Sequence, residues 1–346
     1  MTSETYERAE SPVEALPKLV VVAGPTGVGK TRLGIELAQR FGGEVINTDS
    51  RYLYRGFDIG TAKPDKAEMA GVPHHQIDIL EPEDDFSLAR FQELAYAVIG
   101  DVLGQGKLPL LVGGTPLYVN AVVEGWTIPR VPPHPEIRER LEREAEESGV
   151  EAMSRRLAAI DPIAAERSGV NLRRIIRALE IHEVTGERMS DLEGKGPRPF
   201  DTLELGLTLP RQEMHDALDR RVDDQIKRGL IDVVRGLLER GVRRDAPAMS
   251  SIGYRQMLPF LDGEESLEEA IVRLKHDTHR YVRHQETWLR RNDRLVPINV
   301  RESDWIEQAA RLVERFLGSR ALTPGPLPEA GEGSSCDGRD RYLESR

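Results

Sequence analysis

The sequence predicts an α/β fold, a parallel sheet flanked by helices and carrying a helical insertion. Three observations lead there. Short apolar runs alternate with longer amphipathic stretches. The first run passes through a glycine-rich turn directly into a helical pattern. A proline-rich break, TIPRVPPHP at 127–135, precedes a region up to residue 185 that reads only as charged helix.

In chain order, Lys18–Ala23 is a β-branched run of the kind buried in parallel sheets. A helix is expected over 31–41, closed by Gly42-Gly43, then a strand over 44–48 that ends at Asp49-Ser50. A helical pattern covers 87–103, and the third strand, 108–112, stops at Gly113-Gly114. Strand character returns at 202–209, followed by helices over 211–241, 265–291 and 305–317. The domain plan is therefore 18–126 as the first part of the α/β core, 127–200 as the insertion, and 201–318 as core completion with C-terminal helices. Residues 1–17 and 319–346 are expected to be disordered, because they are polar, charged and rich in Pro, Gly and Ser.

The 346 residues are 39% hydrophobic and 31% charged, a globular balance with material for a core. No apolar run is long enough to span a bilayer, and the polar, acidic N-terminus resembles neither a secretory nor a transit peptide. The single cysteine, Cys336, excludes an internal disulfide framework and a multi-cysteine zinc site. A cytoplasmic protein is expected. The net charge of −11 argues against a nucleic-acid partner, but its distribution argues for one. Residues 273–294 hold seven Lys/Arg against three Asp/Glu, a local +4, and residues 171–177 hold three arginines and no acid. Basic islands on an acidic body suit a protein that grips a polyanion at chosen places.

Residues 24–31, GPTGVGKT, satisfy G-x-x-x-x-G-K-[ST] between a strand and a helix. The sheet is therefore expected to be P-loop NTPase-like. Gly24, Pro25, Thr26, Gly27, Val28 and Gly29 would wrap backbone N–H groups around phosphate oxygens at a helix N-terminus. Lys30 would neutralise the terminal phosphate, and the Thr31 hydroxyl would help hold Mg²⁺. The loop identifies a diphosphate or triphosphate but not the reaction. ATPases of this kind place an acid after a second apolar strand. Here the strand over 108–112 ends in Gly113-Gly114-Thr115, and the acid, Asp49, follows the strand over 44–48 at the carboxyl edge of the sheet. Position alone leaves Asp49 as metal ligand, base or helix cap.

Seven runs together resemble one family, the tRNA dimethylallyltransferases. They are GPTGVGKT (24–31), DSRYLYRGFDIGTAKP (49–64), PHHQIDI (73–79), GGTPLY (113–118), RRIIRALE (173–180), SIGYRQM (251–257) and HQETWLRR (284–291). The resemblance implies transfer of a dimethylallyl group from dimethylallyl diphosphate to N6 of the adenosine 3′-adjacent to the anticodon. It implies Asp49 as the base, Thr115 orienting the amine, and Lys30 with Arg221 stabilising the leaving diphosphate. The implied tRNA contacts are Asp49, Ser50, Arg51, Tyr52, Thr115 and Arg138; Arg173, Arg174, Ile175, Ile176 and Arg177; Ser250, Gly253, Tyr254 and Arg255; and Arg283, Gln285, Trp288 and Arg290. The implied partner is the tRNA anticodon stem-loop, with no protein partner required and a monomer expected. Tyr52, Pro116, Ala217 and His284 stand where that family more often has Gln, Gly, Arg and Arg.

Blander readings stand beside these. The helical face of Leu172, Ile175, Ile176 and Leu179 turns Arg173, Arg174 and Arg177 toward solvent, as on any solvated helix. Trp288 divides evenly between core packing and base stacking. The histidines at 74, 75, 276, 279 and 284 lack a recognisable metal-ligand pattern. A small-molecule kinase would share the P-loop and use Asp49 toward a hydroxyl. Prenylation of free adenine nucleotides and a nucleotide-switched RNA-binding protein are further alternatives.

Overall fold

A computed structural model describes residues 15–318. The expectations for 1–14 and 319–346, Cys336 included, lie outside the described residues. Packing against the sheet begins before the expected Lys18, since Pro17 is buried and its carbonyl accepts from Asp201 N–H at 3.0 Å.

Along the chain, β1 is Lys18–Ala23, α1 Lys30–Phe41, β2 Gly43–Asn47 and β3 His74–His75. Then come α2 (Leu88–Gly104), β4 (Leu108–Gly113), α3 (Pro116–Val123) and the short β5 (Trp126–Thr127). The helices α4 (Pro135–Ser148), α5 (Val150–Ile160), α6 (Pro162–Ser168), α7 (Leu172–Thr185) and α8 (Met189–Leu192) lead to β6 (Gly194–Lys195). The chain closes with β7 (Asp201–Thr208), α9 (Arg211–Lys227), α10 (Leu230–Glu239), α11 (Leu258–Leu261), α12 (Leu267–Arg291), β8 (Val296–Asn299) and α13 (Trp305–Gly318).

Six strands form one sheet in the order β3-β2-β4-β1-β7-β8, with every pair parallel. Every residue of β1 and β4 is buried, as strands covered on both faces require. Parallel pairing places the ends of β1, β4 and β2 side by side at one edge, with Ala23 opposite Gly113 and Asn47 opposite Val112. The turns that leave those strands carry the cradle, the GGT run and Asp49. The core around them joins Val20, Leu33, Leu110, Leu205, Leu218 and Ala309.

The chain divides into two compact units. One holds the sheet; the other holds 86–93 and 120–198 of the described residues. The second unit starts earlier than the expected 127. Its core packs Leu141, Met153, Leu157, Ile175, Ile176 and Leu179 from α4, α5 and α7. Asp161 ties α6 down, its carboxylate accepting from Ala164 N–H and Ser190 N–H at 2.9 Å each. The helical region expected up to residue 185 is four helices, and 211–241 is two, broken at Gly229 with φ +89°. Strands β3, β5, β6 and β8 have no counterpart in the sequence expectation. Each has two to four residues, too few for periodicity to register.

Candidate active site

The cradle follows from the glycines of GPTGVGKT. Gly27 and Gly29 sit at φ +84° and +99°, the left-handed region that side chains resist. A Cβ on Gly24 would lie 2.8 Å from the Val28 side chain and 3.2 Å from the Leu207 carbonyl oxygen. Helix α1 begins at Lys30 with no side-chain cap and no acid in its first turn, leaving its positive end suited to an anion. Lys30 Nζ donates to the Pro25 carbonyl at 2.8 Å. Desolvation in the cradle pushes this ammonium down to about 8, against the pull of Asp49 and together with the repulsion of Arg221.

Across from the cradle, Asn47 fixes the turn that carries Asp49. Its amide oxygen accepts from Asp49 N–H at 2.8 Å, and its amide nitrogen donates to the Asp49 carbonyl at 2.9 Å. The Asp49 carboxylate accepts Arg51 N–H at 2.9 Å in a local turn. No helix follows until Leu88, so the helix-cap reading of Asp49 falls away. Gly113 meets this turn directly: a Cβ there would lie 2.3 Å from Thr48 Oγ1 and 2.6 Å from the Thr48 carbonyl carbon. The contact brings the GGT run beside Asp49. Thr115 N–H donates to the Thr48 carbonyl at 3.2 Å, and Thr115 Oγ1 accepts from Ser50 N–H at 3.2 Å. The Tyr281 side chain lines the same cavity as Thr115, and burial raises its phenol so that it stays protonated.

Two cavities meet at Asp49. One, of about 560 Å³, follows the cradle and the start of α1, with Lys30 and Thr31 in its wall. The other, of about 440 Å³, runs past Thr115 and Tyr281 between apolar walls of Pro116, Leu117, Val222 and Ile252. Thr26, Asp49 and Arg221 line both. Arg221 reaches from α9 and donates to the Thr61 carbonyl at 2.7 Å, while the Tyr52 hydroxyl in the same cavity wall donates to the Ala62 carbonyl at 2.9 Å. The site therefore sets a phosphate cradle, two cations and a carboxylate beside a pocket with apolar walls. Thr31 and Asp49 supply hard oxygens. Among the described residues no cluster of three or more His, Cys, Asp or Glu would hold a metal unaided. That donor set fits magnesium, which takes one or two protein oxygens and completes its shell with phosphate and water.

Residues 52–292 match the IPP transferase family. The chain belongs to that family. It is 55% identical over 300 residues to the tRNA dimethylallyltransferase of Thermomicrobium roseum, covering 86% of this chain and 91% of that one. It is 49% identical to the tRNA dimethylallyltransferase of Roseiflexus sp. strain RS-1, covering 86% and 98%. Among solved structures it is similar to the full-length tRNA isopentenylpyrophosphate transferase of Bacillus halodurans, with a TM-score of 0.66, 41% identity, and 87% and 97% of the two chains covered. A eukaryotic dimethylallyltransferase acting on tRNA aligns with a TM-score of 0.73 at 27% identity, covering 91% and 81%.

Of the cradle residues, Thr26, Gly27, Gly29, Lys30 and Thr31 line the first cavity with Asp49 and Arg221, whereas Gly24, Pro25 and Val28 are buried; around the second cavity the structure gathers Thr115, Ser50, Arg51, Ser250 and Arg255. Arg51 donates to Ser250 Oγ at 3.1 Å. Arg283 and Arg290 on α12 are exposed and Trp288 is half-buried. Five residues expected to touch tRNA do otherwise. Ile175 and Ile176 are buried in the core of the helical unit. Tyr254 is wholly buried, its ring 4.4 Å from that of Phe57, and its hydroxyl accepts from Gly60 N–H at 3.3 Å. Gly253 is buried against Gly60, where φ of +101° and a Cα 3.2 Å from its would-be Cβ demand glycine. Gln285 is buried between two loops.

Arg138 and Arg177 are also corrected in part. Both are committed to Glu180, a carboxylate with no exposed surface. Arg138 grips it with two bonds of 2.8 and 3.0 Å, Arg177 with one of 2.6 Å, and His134 N–H with one of 2.7 Å. Removing that buried carboxylate leaves two partly buried guanidiniums and the His134 N–H without their shared acceptor. Glu180→Ala is expected to destabilise the helical unit by about 2–3 kcal/mol, read as a lower urea midpoint. An unchanged midpoint would contradict the cluster's structural role. The exposed arginines of α7 are Arg173 and Arg174.

Sequence reasoning missed Asn47, Glu180 and Lys63. The signal for Asn47 was its place two residues before Asp49, and for Glu180 its i+3 spacing from Arg177. Lys63, in the GTAKP run, is buried and donates to the Tyr54 carbonyl, Asp58 and Asp78 at 2.5–2.7 Å. It builds its loop.

Proposed function

We propose that this chain transfers a dimethylallyl group from dimethylallyl diphosphate to N6 of the adenosine 3′-adjacent to the anticodon in tRNA, releasing diphosphate. The observation that carries this reading is the convergence of Lys30, Asp49 and Thr115 where the cradle opens onto a cavity walled by Val222, Ile252 and Leu117. A phosphate site alone suits many reactions. An apolar chamber beside it suits a five-carbon allylic tail, and an acceptor-side carboxylate suits an amine that must lose a proton.

The diphosphate sits on the backbone N–H groups of the cradle and the positive end of α1, faced by Lys30 and Arg221. A magnesium ion held by Thr31 would further neutralise the leaving diphosphate. Thr115 hydrogen-bonds the incoming base and sets the amine toward the allylic carbon. N6 forms the new C–N bond, the C–O bond to diphosphate breaks with its electron pair, and Asp49 takes the N6 proton. The adenosine has to leave its stack to arrive there, which single-stranded loops permit. We place the activity in the cytoplasm, with a monomer sufficient for it. In support, no helix among the described residues is long and apolar enough to cross a membrane.

Transfer of label from radiolabelled dimethylallyl diphosphate to an unmodified anticodon stem-loop tests the reaction. Label should enter the adenosine-containing loop and not one with guanosine at that position; equal labelling of both would defeat the reading. For RNA binding, the exposed pair is the informative one. Arg173→Ala with Arg174→Ala should lower the slope of log affinity against log salt by about two, roughly one for each phosphate no longer neutralised. An unchanged slope in fluorescence anisotropy would return α7 to an ordinary solvated helix.

A further inference from the structure

Gln285 occupies a position that RNA cannot reach, yet every polar atom of its side chain is committed to the reaction centre. It projects from α12 with 2% of its surface exposed. Its amide oxygen accepts from Thr26 N–H at 2.9 Å and from Thr26 Oγ1 at 3.2 Å, within the cradle. Its amide nitrogen donates to the Gly114 carbonyl at 2.8 Å, within the GGT run. Gly114 leaves no slack: a Cβ there would lie 2.6 Å from that nitrogen and 3.4 Å from Lys30 Nζ. The residue after Gly114 is Thr115, and Thr26 lines both cavities.

We infer that Gln285 is a positioning residue that locks the donor cradle to the acceptor loop, setting the distance between the allylic carbon and the attacking amine. The inference rests on the prenyl-transfer reading and adds to it a specificity of geometry that neither loop has alone. Only an uncharged amide serves both ends, because Thr26 presents donors and Gly114 presents an acceptor. One turn N-terminal on the same helix face, Tyr281 lines the second cavity with Thr115, so α12 faces the acceptor loop at two consecutive turns. Displacing reacting atoms by about 1 Å costs roughly 10²-fold in rate without altering how tightly each substrate binds.

Two variants separate positioning from folding and from RNA contact. Gln285→Met removes both bonds. Gln285→Glu keeps the size and the acceptor toward Thr26, but sets a carboxylate oxygen against the Gly114 carbonyl. In single-turnover transfer with dimethylallyl diphosphate and an anticodon stem-loop, both should lose roughly 10²-fold in rate at saturation. The dissociation constant for the stem-loop and the KM for the donor should each stay within about threefold. Gly114→Ala displaces the same amide from the other side, so combining it with Gln285→Met should add no further loss. A fall in stem-loop affinity with the rate intact would make Gln285 an RNA contact and overturn the inference. So would additive losses in the double variant, or a full rate in Gln285→Glu. Wild-type protein that transfers no prenyl group overturns the reading beneath; wild-type transfer with unaffected variants overturns the lock alone.

Discussion

Asp49→Asn slows prenyl transfer by about 10²–10⁴-fold, the range that general-base catalysis supplies, while tRNA affinity stays close to that of the unaltered protein. The substitution is nearly isosteric. An asparagine oxygen still accepts Arg51 N–H, so the turn held by Asn47 keeps its shape. What disappears is a place for the N6 proton. Transfer then proceeds through a cationic amine in a pocket that already holds Lys30 and Arg221, and like charge raises its barrier. Rapid-quench single-turnover kinetics beside filter binding of the stem-loop separates rate from affinity. Near-normal rates would remove Asp49 as the base and leave it as a ligand for the metal.

The second large effect falls on the donor side. Lys30→Met keeps most of the side-chain volume and deletes the cation, and the loss expected in kcat/KM is about 10²–10³-fold. Part of it is ground-state affinity for the diphosphate and part is the charge that grows as the C–O bond breaks. Lys30→Arg should not rescue it. The lysine nitrogen donates to the Pro25 carbonyl at 2.8 Å as a compact point charge, a geometry that the planar fork of a guanidinium does not reproduce. Donor affinity is read by displacement of a fluorescent diphosphate analogue. Full rescue by arginine would mean that the cradle needs only charge, not a point charge of lysine's geometry.

Much of the sheet was legible because its central strands are almost wholly apolar. Lys18–Ala23 and 108–112 reveal themselves by composition, and the P-loop reveals itself by glycines whose spacing has a backbone cause. The acid at Asp49 was legible because a strand followed by an acid lies at a carboxyl edge by construction. The edge strands β3 and β8 were not legible, since two and four residues carry no period. Motif matching also could not separate residues that face a ligand from those that hold the ligand's neighbours in place. Tyr254 and Gln285 belong to runs that resemble tRNA contacts, yet the fold buries both. In RRIIRALE the two isoleucines serve the helical core, and Glu180 binds Arg177 and Arg138, so two of five residues expected at RNA, Arg173 and Arg174, remain exposed. A linear run records spacing; which side of the helix meets a partner depends on packing elsewhere in the chain.

The most direct measurement is product analysis. Purified protein is incubated with dimethylallyl diphosphate, magnesium and unmodified tRNA, the RNA is digested to nucleosides, and released diphosphate is quantified in the same sample. The account predicts an adenosine carrying one dimethylallyl group on N6, mapped to the residue 3′ of the anticodon, with one diphosphate released per group transferred. Unmodified adenosine throughout, together with ATP-dependent phosphorylation of a small hydroxyl acceptor by the same protein, would contradict it.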